Sequence, residues 1–360
     1  MMDKALYSFL LILVPLALGR FAMGLDFFRR LDADLSGGGR SGGIRPGADE
    51  SSSGQTAGAR PSGSRLERLR IAGQKLVLLG FNPVIALGAI WSLDLSDSRL
   101  LILPFIGLSI MAVGLAIGVL GSRLLKLEPF RAGVYSTCGS FANIGNMGGL
   151  IVYMLLGEGA YALVPLYRLF EDFWNYGVLF PIARGYGEKA RAGQGEVPQW
   201  GSNKEGIRKV LRDPFFLASL ASLIIGLSLN LAGFHRPAFY GKLNSVLIPA
   251  GSVLFLFTIG MRMMIARFGS NAPIGLILTL GKTIAVPACA FMLASALGMG
   301  GIYGGIPLQV VFILSTSPVG FLGLVPPTLY GLDRNLANTL WLVSNTSLAL
   351  TIPVLAMLVG

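Results

Sequence analysis

The chain has 360 residues, 53% hydrophobic and only 13% charged, where soluble domains carry about 25% charged residues. Its apolar residues gather into long runs between short polar connections, which excludes a soluble core and reads as a polytopic membrane protein. A net charge of +11 raises nucleic acid as a partner, but the basic residues follow the alternation of the connections and need none to account for them.

Ten candidate spans follow one another near residues 5–28, 76–93, 99–121, 132–157, 159–183, 214–234, 243–265, 273–298, 303–331 and 335–359. The first apolar run continues past Arg20 and reads as a span, not as a cleaved leader. Arg20 lies near its inner end, where it can snorkel. Residues 29–68 contain "LSGGGRSGGIRPGADESSSGQTAGARPSGS", which lacks apolar side chains to bury and is expected to be a disordered loop. The stretch "RLERLRIAGQKL" is expected to follow as a short basic amphipathic helix near the membrane surface. A second long connection covers 184–212.

Lysine and arginine give the orientation. With the N-terminus outside, alternate connections hold 22 basic residues on the inner side and 4 on the outer. By the positive-inside rule both termini are extracytoplasmic and the connections 29–68 and 184–212 are cytoplasmic. The expected location is the plasma membrane. The second long connection divides the spans five and five, into 1–183 and 213–360. An odd number per half forces the halves into opposite orientation, the plan of inverted-repeat transporters. Internal likeness supports it. The second span of each half has an early proline, "NPVIALGAIW" and "IPAGSVLFLF", and the fourth span of each half is broken by small and polar residues.

Those two breaks carry the functional reading. In the first half, "GSFANIGNMGG" lies within a run without charge from Ala132 to Gly157; in the second, "STSPVGFLGLVPP" includes Pro318. Irregular backbone is tolerated at that depth only where it is buried in protein or lines a cavity. The positive end of a half-helix attracts an anion, so the two breaks are expected to meet and bind a small organic anion. Asn143, Asn146, Thr316 and Ser317 would line that site, with Gly145, Gly148 and Pro318 shaping it. The competing account is that the glycines only allow close helix packing, since Gly145 and Gly149 also make a GxxxG.

In the fifth span, Arg168 precedes Glu171 by three residues and Asp172 by four, so all three share a helix face. Asn175 is one turn on. They are candidates for handling a coupling proton or sodium ion, or for a structural ion cluster. Lys282 lies in mid-span and could neutralise a substrate carboxylate, replace a cation structurally, or snorkel. "GLILTLGKT" misses the phosphate-loop spacing by one residue. With one histidine, His235, and two cysteines, Cys138 and Cys289, in apolar runs or connections, no metal site, cofactor or enzyme is expected.

At these residues the chain resembles the auxin efflux carrier family, which includes the plant PIN exporters and bacterial transporters associated with malonate and malate. Asn143, Gly145 and Gly148 match the family's Asn-Thr-Gly-Phe-x-Gly-x-Pro-Leu pattern. "SPVGFLGLVPPTLYGLDRNLANTLWLVSNTSLALTIPVL" resembles its C-terminal end and "LFLFTIGMRM" its seventh span. The second crossover carries Thr316 and Ser317 where an amide is common. The resemblance implies the all-α fold shared with bile-acid symporters and sodium–proton antiporters. There a scaffold domain comes from the first, second, sixth and seventh spans, and a transport domain from the others. It also implies alternating access, a homodimer through the scaffold, and a mono- or dicarboxylate or auxin-like acid as cargo. The reading from another class is a non-transporting membrane sensor or scaffold on the same fold.

Overall fold

The computed structural model describes residues 65–192, 212, 214–261 and 268–359, with parts of 10–22. The expected first span and the first long loop therefore lie largely outside the described residues, as does most of the second loop. Among the described residues the structure is helical, without strands. Its main helices are α1 (Arg65–Lys75), α2 (Asn82–Trp91), α3 (Leu103–Leu124), α4 (Pro129–Ser140), α5 (Gly149–Leu156), α6 (Phe180–Ala192), α7 (Pro214–Leu231), α8 (Phe239–Gly260), α9 (Phe268–Leu280), α10 (Val286–Ala296), α11 (Ile306–Ser315), α12 (Val325–Tyr330), α13 (Arg334–Thr346) and α14 (Leu348–Val359).

Among the described residues, six helical runs are long and apolar enough to cross a membrane: Arg68–Trp91, Ser98–Leu124, Pro129–Leu156, Phe239–Gly260, Asn271–Ala296 and Arg334–Val359. Leu217–Leu231, Tyr303–Ser315 and Phe321–Tyr330 are shorter apolar helices. Large apolar side chains face outward on them, Leu124, Leu350 and Met357 each being more than 70% exposed. An exterior of that kind suits lipid and not water. The chain is a multi-pass membrane protein.

The local signals are ordinary. Proline occupies the first turn of α3, α4, α10, α11 and α12, where a missing N–H costs nothing. Asp333 caps α13 by accepting from Leu336 N–H at 2.9 Å, and Gly331 (φ 69°) closes α12. One expectation is revised. The basic helix α1 is not a separate surface element but runs through a π-helical turn, Leu76–Phe81, directly into α2. No cap or left-handed residue stands at that junction to end it.

The helices pack in two groups. α1 lies on α8, and α2 packs along α7 and α8. In the other group, α3 packs on α4 and α10, α9 on α13, α10 on α11, and α6 on α4. Each group draws helices from both halves of the sequence, so the packing units are not the sequence halves.

Candidate functional site

Both expected breaks are present, and they touch. α4 ends at Ser140, residues 141–143 are non-helical, and a π-helical turn, Ile144–Gly148, leads into α5. α11 ends at Ser315, residues 317–320 are non-helical, and a short 3-10 turn leads into α12. The two extended pieces bond to each other. Asn143 N–H donates to Pro318 C=O at 3.0 Å, and Gly320 N–H to Phe141 C=O at 3.3 Å. Each break thus supplies partners for groups the other leaves without a helix.

Side chains satisfy further freed groups. Lys282, only 4% exposed, donates from Nζ to the carbonyls of Gly139 (2.9 Å) and Phe141 (3.2 Å). It therefore places a positive charge at the negative end of α4. On the second break, Val319 N–H donates to Ser344 Oγ at 3.1 Å, and Asn345 Nδ2 donates to Val319 C=O at 3.2 Å. Lys282 is thus a cap on the first break, and it does not line the cavity beside it.

That cavity, of about 320 Å³, lies between the two helix groups. The crossing group contributes Asn143, Gly145, Asn146, Arg168, Glu171, Asp172 and Asn175, and the other group contributes Gln74, Asn82, Ser219 and Phe255. A smaller cavity of about 80 Å³ adjoins it across Gly145, Arg168 and Asp172, with Ala86, Leu220 and Leu223 also on its wall. Arg168 Nε donates to Glu171 Oε2 at 2.7 Å, with Glu171 buried and Arg168 half-buried. Gly145 makes room for the guanidinium: a Cβ there would stand 2.0 Å from Arg168 Nη1. Asn143 is 7% exposed, and its Nδ2 has no hydrogen-bond partner among the described residues. A buried donor without an acceptor is costly, and this one belongs to a residue on the cavity wall.

The sequence-derived residues therefore divide. Asn143, Gly145, Asn146, Arg168, Glu171, Asp172 and Asn175 come together around one space. Gly148, Thr316, Ser317 and Pro318 are buried behind it. Thr316 Oγ1 donates back to Ile313 C=O at 2.7 Å, and Ser317 Oγ packs against Gly148 without a bond. Sequence reasoning missed Gln74, Asn82, Tyr176 and Ser219 on the cavity wall. Asn82 had a signal, an amide before Pro83 inside an apolar run; the others lie in unremarkable positions.

The GxxxG account of Gly145 and Gly149 meets other neighbours than helix backbone. Gly145 faces Arg168, and Gly149 faces the Tyr161 ring. Backbone-to-backbone approach occurs elsewhere, where Gly114 and Gly118 of α3 meet Gly139 and Ser136 of α4.

A family model described as membrane transport protein matches residues 75–356. No curated protein matches the chain.

Proposed function

The chain belongs to the auxin efflux carrier family of membrane transport proteins, and on that premise we propose that it is a secondary carrier of a small organic anion. The cargo's carboxylate meets the Asn143 amide, the Arg168 guanidinium and the first helical turn after the break, whose N–H groups lack acceptors within the helix. Glu171 and Asp172, with Asn175 beside them, handle a coupling proton or sodium ion. Gly148 and Pro318 shape the two breaks, and Thr316 and Ser317 back them. The spans number ten, in two inverted five-span repeats, with both termini outside the plasma membrane. The cargo is a mono- or dicarboxylate or an auxin-like acid, and it crosses by alternating access.

The observation that carries this reading is the unpartnered, buried Asn143 Nδ2, on a residue that shares the wall of the 320 Å³ cavity with Arg168. Glu171 and Asp172 offset the Arg168 charge, so a carboxylate is favoured once the coupling cation neutralises one acid, when the remaining guanidinium N–H groups and the Asn143 amide can donate to it. Counter-flow in proteoliposomes tests it, with labelled malonate, malate and indole acetate as probes. Exchange of at least one probe is expected. Asn143→Ala should weaken it about tenfold or more, the worth of one hydrogen bond to a charge. Undiminished exchange in Asn143→Ala at equal protein would remove Asn143 from the site, and no exchange of any carboxylate would remove the anion reading.

A further inference from the structure

The cavity and the opposite end of the same helices are built differently. Along Arg68–Trp91 the cavity takes Gln74, Leu78 and Asn82. Six residues past Asn82, or about 9 Å along the axis, Gly88 belongs to a closed cluster. Arg236 Nη1 donates to Gly88 C=O at 3.1 Å and to Glu158 Oε1 at 2.6 Å. Asn244 Nδ2 donates to the same Oε1 at 3.1 Å. Tyr240 donates to Val84 C=O at 3.0 Å, and its ring occupies the place a Cβ of Gly88 would need. Along α8 the separation is larger: Phe255 lines the cavity and Asn244 joins the cluster, about 16 Å apart.

Glu158 belongs to the crossing group. It follows α5, the half-helix that leaves the first break, with only Gly157 (φ 85°) between them. Arg236 and Asn244 belong to the other group, in the connection between α7 and α8 and at the start of α8. The ion pair therefore ties the broken helix to the opposing helix group, toward the Trp91 end of Arg68–Trp91 and away from Arg68 and Arg70. It is only partly exposed, 18% for Arg236 and 27% for Glu158, so water screens it less than a surface pair.

We propose that Glu158 and Arg236 are residues of the transport cycle: their ion pair latches the outer face shut while the cavity faces the cytoplasm, and it must part for the site to face outward. This rests on the reading of the cavity as the carrier's site. A pair that bonds in only one of two states biases the equilibrium by its differential free energy, and its removal shifts the population.

The test needs no known cargo. Ser219→Cys puts a thiol on the cavity wall; Cys289→Ser removes a partly exposed thiol, and Cys138 is buried. A membrane-impermeant maleimide is then applied to right-side-out and inside-out vesicles, with folded protein matched by size-exclusion profile. In this parent, labelling is expected from the cytoplasmic face. Glu158→Gln and Arg236→Gln should each raise labelling from the outer face at least about fivefold. The exchanged pair, Glu158→Arg with Arg236→Glu, should return it toward the parent and shows that the effect is pairing and not misfolding. Outer-face labelling that is equal in the parent and in both single variants overturns the latch and leaves the cavity reading standing. A thiol at position 219 that labels from neither face overturns the carrier reading, and the latch with it.

Discussion

Gly145 and Gly139 both owe their place to a missing side chain, but their neighbours differ. A Cβ on Gly145 would meet the far end of Arg168, which can swing away. A Cβ on Gly139 would meet Gly114 C=O at 2.4 Å, and backbone cannot yield so cheaply. Gly145→Ala should therefore fold and melt close to the parent in detergent while binding the carboxylate probe about tenfold more weakly, one displaced charge-assisted bond. A large fall in melting temperature with binding intact would contradict this assignment. Lys282 is a third case. Its ammonium answers two carbonyls of the first break, so Lys282→Met leaves both without that donor. A stability loss of about 1–3 kcal/mol is expected, read by thermal unfolding in detergent.

At the scale of elements, the irregular turns gather where the polar groups are. Leu76–Phe81, Ile144–Gly148, Asn175–Leu179 and Gly281–Ala285 are all π-helical. Three of them supply cavity residues and the fourth carries Lys282. Wide turns of this kind release backbone groups and reorient side chains without ending the helix, and they recur at functional sites. The α3–α4 contact is the opposite sort of element, regular and close. Gly118 comes so near that its Cβ would stand 2.4 Å from Ser136 C=O. Gly118→Ile should force the two helices apart, at about 1–3 kcal/mol or more. The measurement is thermal unfolding, and an unchanged melting temperature would mean that the contact is looser than described.

For the whole molecule, the described helices α1, α2, α7 and α8 form one packing group and the cavity lies between it and the other; the family resemblance implies a scaffold from the first, second, sixth and seventh spans, of which the first lies largely outside the described residues. In the proposed carrier, movement of one group against the other would change which side the cavity faces. The topology that goes with it is testable. A reporter active only outside the cytoplasm should work when fused after Gly360 and fail when inserted at residue 195, and a cytoplasmic fluorescent reporter should show the reverse. The same sidedness at both positions would break the five-and-five arrangement. The proposed latch belongs to this scale too, since the Glu158–Arg236 pair joins the two groups.

What depends on near neighbours in the chain was legible before any fold was known. Apolar runs declared the membrane, Asn143, Gly145 and Pro318 marked the breaks, and the three-residue spacing of Arg168 and Glu171 gave their ion pair. These are effects of backbone propensity and helix periodicity, which act over a turn or two. Which distant groups meet emerges from the packed helices alone. Lys282 finds carbonyls 143 and 141 residues away, Glu158 finds Arg236 across 78, and Asn82 reaches the cavity wall while Thr316 and Ser317 lie behind it. The physical reason is that buried charges and freed backbone groups require partners but do not specify them. Helix packing chooses the partner, and one sequence read along its length carries no record of that choice.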